Sequence, residues 1–275
     1  MDQGQARTQR TQPPIVLTIA GSDSGAGAGM QADLKTFAAL GVYGTTALTA
    51  VTAQNTRGVR AVAELAPTLV AAQIDAVVED IGADAVKTGM LANAAIIATV
   101  AARVQAHGLT PLVVDPVMVA TSGDRLLRDD ALQALRTTLL PLALVVTPNL
   151  PEAAALAEVI IDRRADLEDA ARRIGALGAR YVLITGGHAF GDPTDLLFDG
   201  QGFVAFPGER IRTTSTHGTG CTLSAAIAAH LARGEAVVDA VGHAKAYVTA
   251  ALRAAYPIGH GHGPPHHLFA LPPPP

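Results

Sequence analysis

The sequence predicts an α/β fold: a central, mostly parallel β-sheet with helices on both faces. Three observations carry that prediction. Short β-branched runs recur along the 275 residues, alanine-rich stretches of helical spacing separate them, and several of those stretches stop at a glycine. Continuous apolar runs, as opposed to alternating ones, suit strands covered on both faces.

The elements follow in order. IVLTIA at 15–20 reads as the first strand, and MQADLKTFAALG after it as a helix closed by Gly41. TALTAVTA at 46–53 is the second strand, followed by the helical LVAAQIDAVVEDIG ending on Gly82. AVKT at 85–88 leads through GML to the helix NAAIIATVAARVQAHG. PLVVD at 111–115, LALVVT at 142–147 and YVLIT at 181–185 continue the strands, with the helix DLEDAARRIGALG before the last of them. DLLFDGQGFVAFPG breaks the alternation and reads as a hairpin turning on Asp-Gly-Gln-Gly. The stretch STHGTGCTLSAAIAAHLA then runs from a polar turn into a small-residue helix. Residues 14–263 make one domain in this reading. Residues 1–13 and the proline-rich 264–275 are loose tails, although His266 and His267 are suited to local packing.

Composition narrows the functions. Apolar residues make up 49% of the chain, enough for a sizeable core, and the formal charge of −4 offers no basic field for nucleic acid. The single cysteine forms neither an internal disulfide nor a multi-cysteine zinc site. Trp is absent and aromatics are 4%, which argues against stacked binding platforms. No run approaches the ~18–20 apolar residues of a membrane span, and the polar start MDQGQARTQRTQPP lacks the apolar core of a signal peptide. A cytoplasmic protein without nucleic-acid or membrane partners is expected.

In a parallel sheet, ligands sit beyond the carboxyl ends of the strands. The residues there are small and polar: GSDSGAGAG, QNTRG, GML, PVMVATSGD, PNLPE and GGH. In HGTGC the amides of Gly218, Thr219, Gly220 and Cys221 lie at a helix start, an electropositive place suited to phosphate. The GxxxxGK[ST] pattern of a Walker loop is missing. Alone, the motif is equally compatible with a glycine turn before a packed helix, and Cys221 with a small buried hydrophobe. At a helix N-terminus, however, the dipole is expected to lower the thiol below its usual pKa of about 8.5 and make thiolate available as a proton acceptor. Lys87, inside an apolar strand, receives no role beyond pairing with a carboxylate or reaching the surface.

Seven motifs now add up to a family. AGSDSGAGAGMQADLKT, TAVTAQNT, VKTGML, VDPVM, TPNLPEA, TGGH and STHGTGCTLSAAIAAHLA, in this order over roughly 15–265, resemble the hydroxymethylpyrimidine/phosphomethylpyrimidine kinases of thiamine biosynthesis, a branch of the ribokinase superfamily. The resemblance implies a ribokinase-like fold and two ATP-dependent transfers at one site. The first goes to the hydroxymethyl of 4-amino-5-hydroxymethyl-2-methylpyrimidine, the second to the monophosphate so formed. On matching positions, Gly21, Asp33, Gln54 and Val117 correspond to the pyrimidine pocket, where the Gln54 amide and Asp33 carboxylate suit an aminopyrimidine edge and Val117 with Met90 covers the ring. Without the resemblance, Asp33 is as well read as a first-turn helix carboxylate and Gln54 as a loop amide.

TPNLPE resembles the superfamily's Asn-x-x-Glu element, which implies that Asn149 and Glu152, joined by Asp115, orient Mg2+ through its waters, with room for a monovalent cation. Thr185 and Gly187, with Gly218 and Gly220, resemble the nucleotide side. Cys221 stands where most of the superfamily has an aspartate base, which implies that it takes the hydroxymethyl proton while the neighbouring amides hold the transferring group. Relatives are generally homodimers. Ala26 departs from the commoner glycine, a change worth about 1 kcal/mol if φ is positive there. Two other functions fit the same residues: a pyridoxal or pyridoxine kinase, and a pyrimidine sensor that does not turn over.

Overall fold

The computed structural model describes residues 12–120, 123–124, 126–186 and 193–271. The first half of the sheet is built from β1 (Ile15–Asp23), α1 (Gly29–Ala39), β2 (Tyr43–Asn55), β3 (Gly58–Glu64), α2 (Pro67–Asp80), β4 (Ala85–Thr88) and α3 (Ala94–Ala106). Then come β5 (Leu112–Val114), α4 (Asp129–Ala134), β6 (Val145–Val146), α5 (Leu150–Ala157), α6 (Arg164–Ala176) and β7 (Tyr181–Ile184). The hairpin β8 (Asp195–Phe198) and β9 (Phe203–Phe206) precedes α7 (Thr219–Ala232) and α8 (Val237–Arg253).

Nine strands form one sheet in the order β3-β2-β1-β4-β5-β6-β7-β8-β9. The six central strands pair in parallel, while β3, β8 and β9 are antiparallel additions at the edges. Period-two alternation sends Leu17, Val86, Val114 and Val146 to one face, where α2, α3, α5 and α6 cover them. Val16, Ala85, Val113 and Val145 go to the other, against α1, α7 and α8. The layered α/β arrangement expected from the sequence is present. The glycines expected to close four helices, Gly41, Gly82, Gly108 and Gly178, all take positive φ.

Three expectations change. β3 is an antiparallel partner of β2 that burial hardly marks, because most of GVRAVAE is exposed at the sheet edge. LALVVT contributes only Val145–Val146 to the sheet, since Leu140–Leu142 continue a 3₁₀ turn around Pro141. The segment after Gly263 is no loose tail through Leu271. Tyr247 donates its hydroxyl to the His267 carbonyl at 2.6 Å, His267 Nε2 lies 3.0 Å from Thr222 Oγ1, and Phe269 stacks at 5.5 Å on the Tyr247 ring. Residues 1–11 and 272–275, in the two expected tails, lie outside the described residues.

Candidate active site

One cavity of about 840 Å³, its open mouth included, lies beyond the carboxyl ends of the parallel strands. Gly21, Gln54, Met90, Asp115, Val117, Asn149, Glu152, Thr185 and the run Gly218–Cys221 all line it. Gly187 lies outside the described residues.

α7 supplies the floor. Its small residues let it lie flat on the sheet, with Ala225, Ala226, Ile227, Ala228 and Ala229 fully buried. Gly218 sits at its N-cap with φ +80°, and a Cβ there would come within 1.9 Å of the Gly27 carbonyl oxygen, so only glycine fits. No side chain caps this helix. The Thr219 N–H is spent on the Thr216 carbonyl at 3.3 Å, so the expected row of four outward amides is shorter. A Cβ on Gly220 would meet no protein atom within 4 Å, which leaves open space for a ligand against its backbone.

Cys221 is half-buried beside this helix start and faces an ionic cluster. Lys87, wholly buried in β4, places Nζ 3.0 Å from both Asp33 carboxylate oxygens and 3.8 Å from Asp115 Oδ2. Thr18 donates to Asp33 at 2.6 Å and Ser224 to Asp115 at 3.0 Å. Burial alone would lower the Lys87 ammonium, but Asp33, Cys221 and Asp115 outweigh it and hold it above its ordinary range. Burial pushes both carboxyls up, against the pull of Lys87. It also pushes the Cys221 thiol up to about 12, with Lys87 opposing and the charges of Asp115 and Asp33 adding to the rise. The expected dipole-lowered thiol is therefore absent in the free protein, because desolvation and two nearby carboxylates outweigh the helix start.

Asp33 is a second correction. Both its oxygens serve Lys87 and Thr18 in a site with no exposure, and it does not line the cavity, so it cannot reach an amino group there. Its role is to neutralise Lys87, for which pairing with a carboxylate was one of the two expectations from the sequence.

Gln54 lies next to last in β2, at an irregularity in its pairing with β3. Its backbone N–H donates to Ser24 Oγ at 2.8 Å, and the Ser24 hydroxyl donates to the Gln54 carbonyl at 2.8 Å. The Thr52 hydroxyl, 3.0 Å from Gln54 Oε1, orients the amide, whose Nε2 lies 3.5 Å from His217 Nε2.

Asp23 and His217 were missed by sequence reasoning. The Asp23 carboxylate accepts from the N–H groups of Gly25, Gly27 and Ala28 at 2.8–3.0 Å and meets His217 Nε2 at 2.8 Å. Burial would raise its pKa, but His217 and these amides lower it on balance. The pair ties the β1–α1 loop to the start of α7. An aspartate two residues before a glycine in DSGAG was the available signal. Ala26 in that loop has φ +57°, the strained case.

Asn149 and Glu152 form a capping box at α5. Asn149 Oδ1 accepts from the Glu152 N–H at 3.0 Å, and Glu152 accepts from the N–H groups of Asn149 at 2.9 Å and Met118 at 3.3 Å. The backbone of Thr185 bridges to Asn149. Burial and the charge of Asp115 push Glu152 up to about 8. Thr147 Oγ1, buried in the cavity wall, has no hydrogen-bond partner among the described residues. Two carboxyls that resist ionising together, beside an orphaned hydroxyl, fit a hydrated divalent cation.

The sequence profile of the family described as phosphomethylpyrimidine kinase matches residues 23–266. A hydroxymethylpyrimidine/phosphomethylpyrimidine kinase of Rhizobium meliloti is 56% identical, covering 92% of this chain and 97% of that protein. The thiamine biosynthesis bifunctional protein ThiED of Geobacter sulfurreducens is 52% identical over 93% of this chain, which spans only 52% of that relative's length. The crystal structure of an ADP complex of Bacillus subtilis pyridoxal kinase superposes with a TM-score of 0.88 at 42% identity, covering 94% of this chain and 99% of that one. With a profile match across most of its length, and a relative of similar length more than half identical, this chain belongs to the phosphomethylpyrimidine kinase family.

Proposed function

We propose that the chain transfers the γ-phosphoryl group of Mg-ATP to the hydroxymethyl group of 4-amino-5-hydroxymethyl-2-methylpyrimidine, and then a second phosphoryl group to the monophosphate, for thiamine biosynthesis. The observation that carries this reading is that one cavity holds the Gln54 amide, the uncapped start of α7 with Cys221, and the Asp115–Glu152 pair. The family membership of the chain supports the same reading.

Each transfer forms a bond from the acceptor oxygen to phosphorus and breaks the bond from the γ-phosphorus to the β,γ-bridging oxygen, releasing ADP. Gln54 holds the ring edge, with Met90 and Val117 against its face. The backbone around Gly218 and Gly220 accommodates the transferring group. In the first transfer the hydroxymethyl proton goes to Cys221 Sγ. With its thiol at about 12, Cys221 acts through a small thiolate fraction that Lys87 sustains, so this transfer accelerates as pH rises. Asp115, Asn149 and Glu152 would hold Mg2+, which when bound neutralises triphosphate charge. Thr185 lies on the nucleotide side. The proposal extends to a cytoplasmic homodimer; among the described residues no helix is long and apolar enough to cross a membrane.

The likeness to a pyridoxal kinase favours one second reading, with pyridoxal as acceptor. Incubating the protein with Mg-ATP and each of the pyrimidine alcohol, its monophosphate and pyridoxal separates the two by product mass and kcat/KM. Efficient turnover of both pyrimidines is expected. A higher kcat/KM for pyridoxal would establish the second reading, and no turnover of any acceptor would leave a sensor.

A further inference from the structure

We propose that His230, Glu235 and His243 form a surface site for a divalent transition-metal ion of the zinc class, separate from the nucleotide cavity. α7 ends in a turn through Gly234 (φ +83°), and the Glu235 N–H returns to the His230 carbonyl at 3.2 Å. This turn carries Glu235 back beneath the last turn of α7. There His230 Nδ1 lies 2.8 Å from Glu235 Oε1, and His243 Nδ1, from α8, lies 2.7 Å from Oε2. The three donor atoms lie within 4.8 Å of one another, and the two rings lie tilted at 46° with centroids 5.2 Å apart.

The donor set is two imidazole nitrogens and one carboxylate oxygen, which suits Zn2+, Co2+ or Ni2+; Mg2+ and Ca2+ prefer oxygen alone. Bonds of about 2.0–2.1 Å require the donors to draw together around the ion. His230, with its side chain 9% exposed, is the confined donor, and His243, 61% exposed, is the one with room to adjust around an ion. Without metal, each Nδ1–H can donate to the carboxylate. With metal, each Nδ1 ligates and its ring proton sits on Nε2, so no proton is lost from a neutral ring. The fourth position stays open to solvent. Arg233, in the same turn, reaches the Leu40 carbonyl at 3.5 Å. None of the three residues lines the active-site cavity, and His230 stands nine residues from Cys221 along α7, about 14 Å at the helical rise. A bound ion would therefore clamp the end of α7 to α8 without touching substrate.

The test is titration of the untagged full chain with Zn2+ by calorimetry and with Co2+ by its visible absorption. The variants are His243→Gln, at an exposed position that does not threaten folding, and His260→Gln/His262→Gln as a control for the other exposed histidines. With excess Mg2+ present to occupy the Asp115–Glu152 site, one ion per chain is expected in the wild type and in the control. His243→Gln should weaken binding by at least about tenfold, since even residues that only support a ligand cost that much, while its turnover with Mg-ATP stays unchanged. No uptake by the wild type, or equal affinity in His243→Gln, would overturn the proposal and leave a hydrogen-bonded cluster only.

Discussion

Replacing Lys87 by methionine should destabilise the protein by about 3–5 kcal/mol near neutral pH, the cost of leaving a buried charge unpaired. The structure gives the reason. One ammonium, fully buried, serves Asp33 on α1 and Asp115 after β5, and Asp33 keeps only the Thr18 hydroxyl once it is gone. Asp33 then folds protonated. Against an unfolded pKa of about 3.9, holding one aspartic acid protonated at about pH 7 costs about 4 kcal/mol, at about 1.36 kcal/mol per unit. Because the folded pKa is raised, the variant's penalty is absent below the unfolded pKa and grows as pH rises. Burial already raises Asp33 in the wild type, so about 4 kcal/mol is the ceiling of the difference, and urea unfolding of wild type and variant should show a stability gap that widens from about pH 5 to about pH 7. Lys87→Met/Asp33→Asn should recover more than half of the loss. A gap under about 1 kcal/mol at neutral pH, or one that does not change with pH, would refute the account of this cluster.

Ala26→Gly should stabilise by about 0.5–1 kcal/mol, because relief of a left-handed alanine exceeds the added chain entropy; chemical denaturation would show it. Gln54→Ala should weaken pyrimidine binding by roughly 1–3 kcal/mol while leaving ATP affinity alone, as calorimetry with each ligand would report. Glu152, raised to about 8, stays protonated in the fold while the unfolded chain ionises, so without a cation stability falls as pH climbs from its unfolded value through about 8. Added Mg2+ should therefore raise Tm more at alkaline than at mildly acidic pH, and an equal rise at both would count against Asp115 and Glu152 as the cation site.

What the sequence revealed depended on how local the physics was. The strands with β-branched cores, the glycine-capped helices and the DGQG hairpin are set by residues close in the chain, and apart from the shortened LALVVT strand they appear where expected. β3 escaped because an exposed edge strand buries too little to leave an apolar signature. Within the site, the positions around HGTGC, Gln54 and Asn149/Glu152 were legible because backbone conformation or motif order marks them. The Lys87–Asp33 pair spans 54 residues and the His217–Asp23 pair 194, so no local pattern could announce either pairing, although DSGAG marks Asp23 itself as a turn carboxylate. That is also why Cys221 was expected to ionise easily: the helix start was visible in the sequence, while the burial and the two carboxylates that oppose it were not.

The central claim is that Cys221 serves as proton acceptor in a cavity that performs both transfers, and single-turnover rates of Cys221→Ala test it most directly. An alcohol must lose its proton, so losing the base should cost something like 10²- to 10⁴-fold in the first transfer. The monophosphate, with a second pKa of about 6, is already mostly anionic at neutral pH and should suffer far less in the second. With the wild-type thiol at about 12, the ratio of wild-type to variant rate for the alcohol should also grow between about pH 6 and 9. Equal losses in both transfers, or a ratio that stays flat with pH, would mean that Cys221 shapes the start of α7 and does not take the proton.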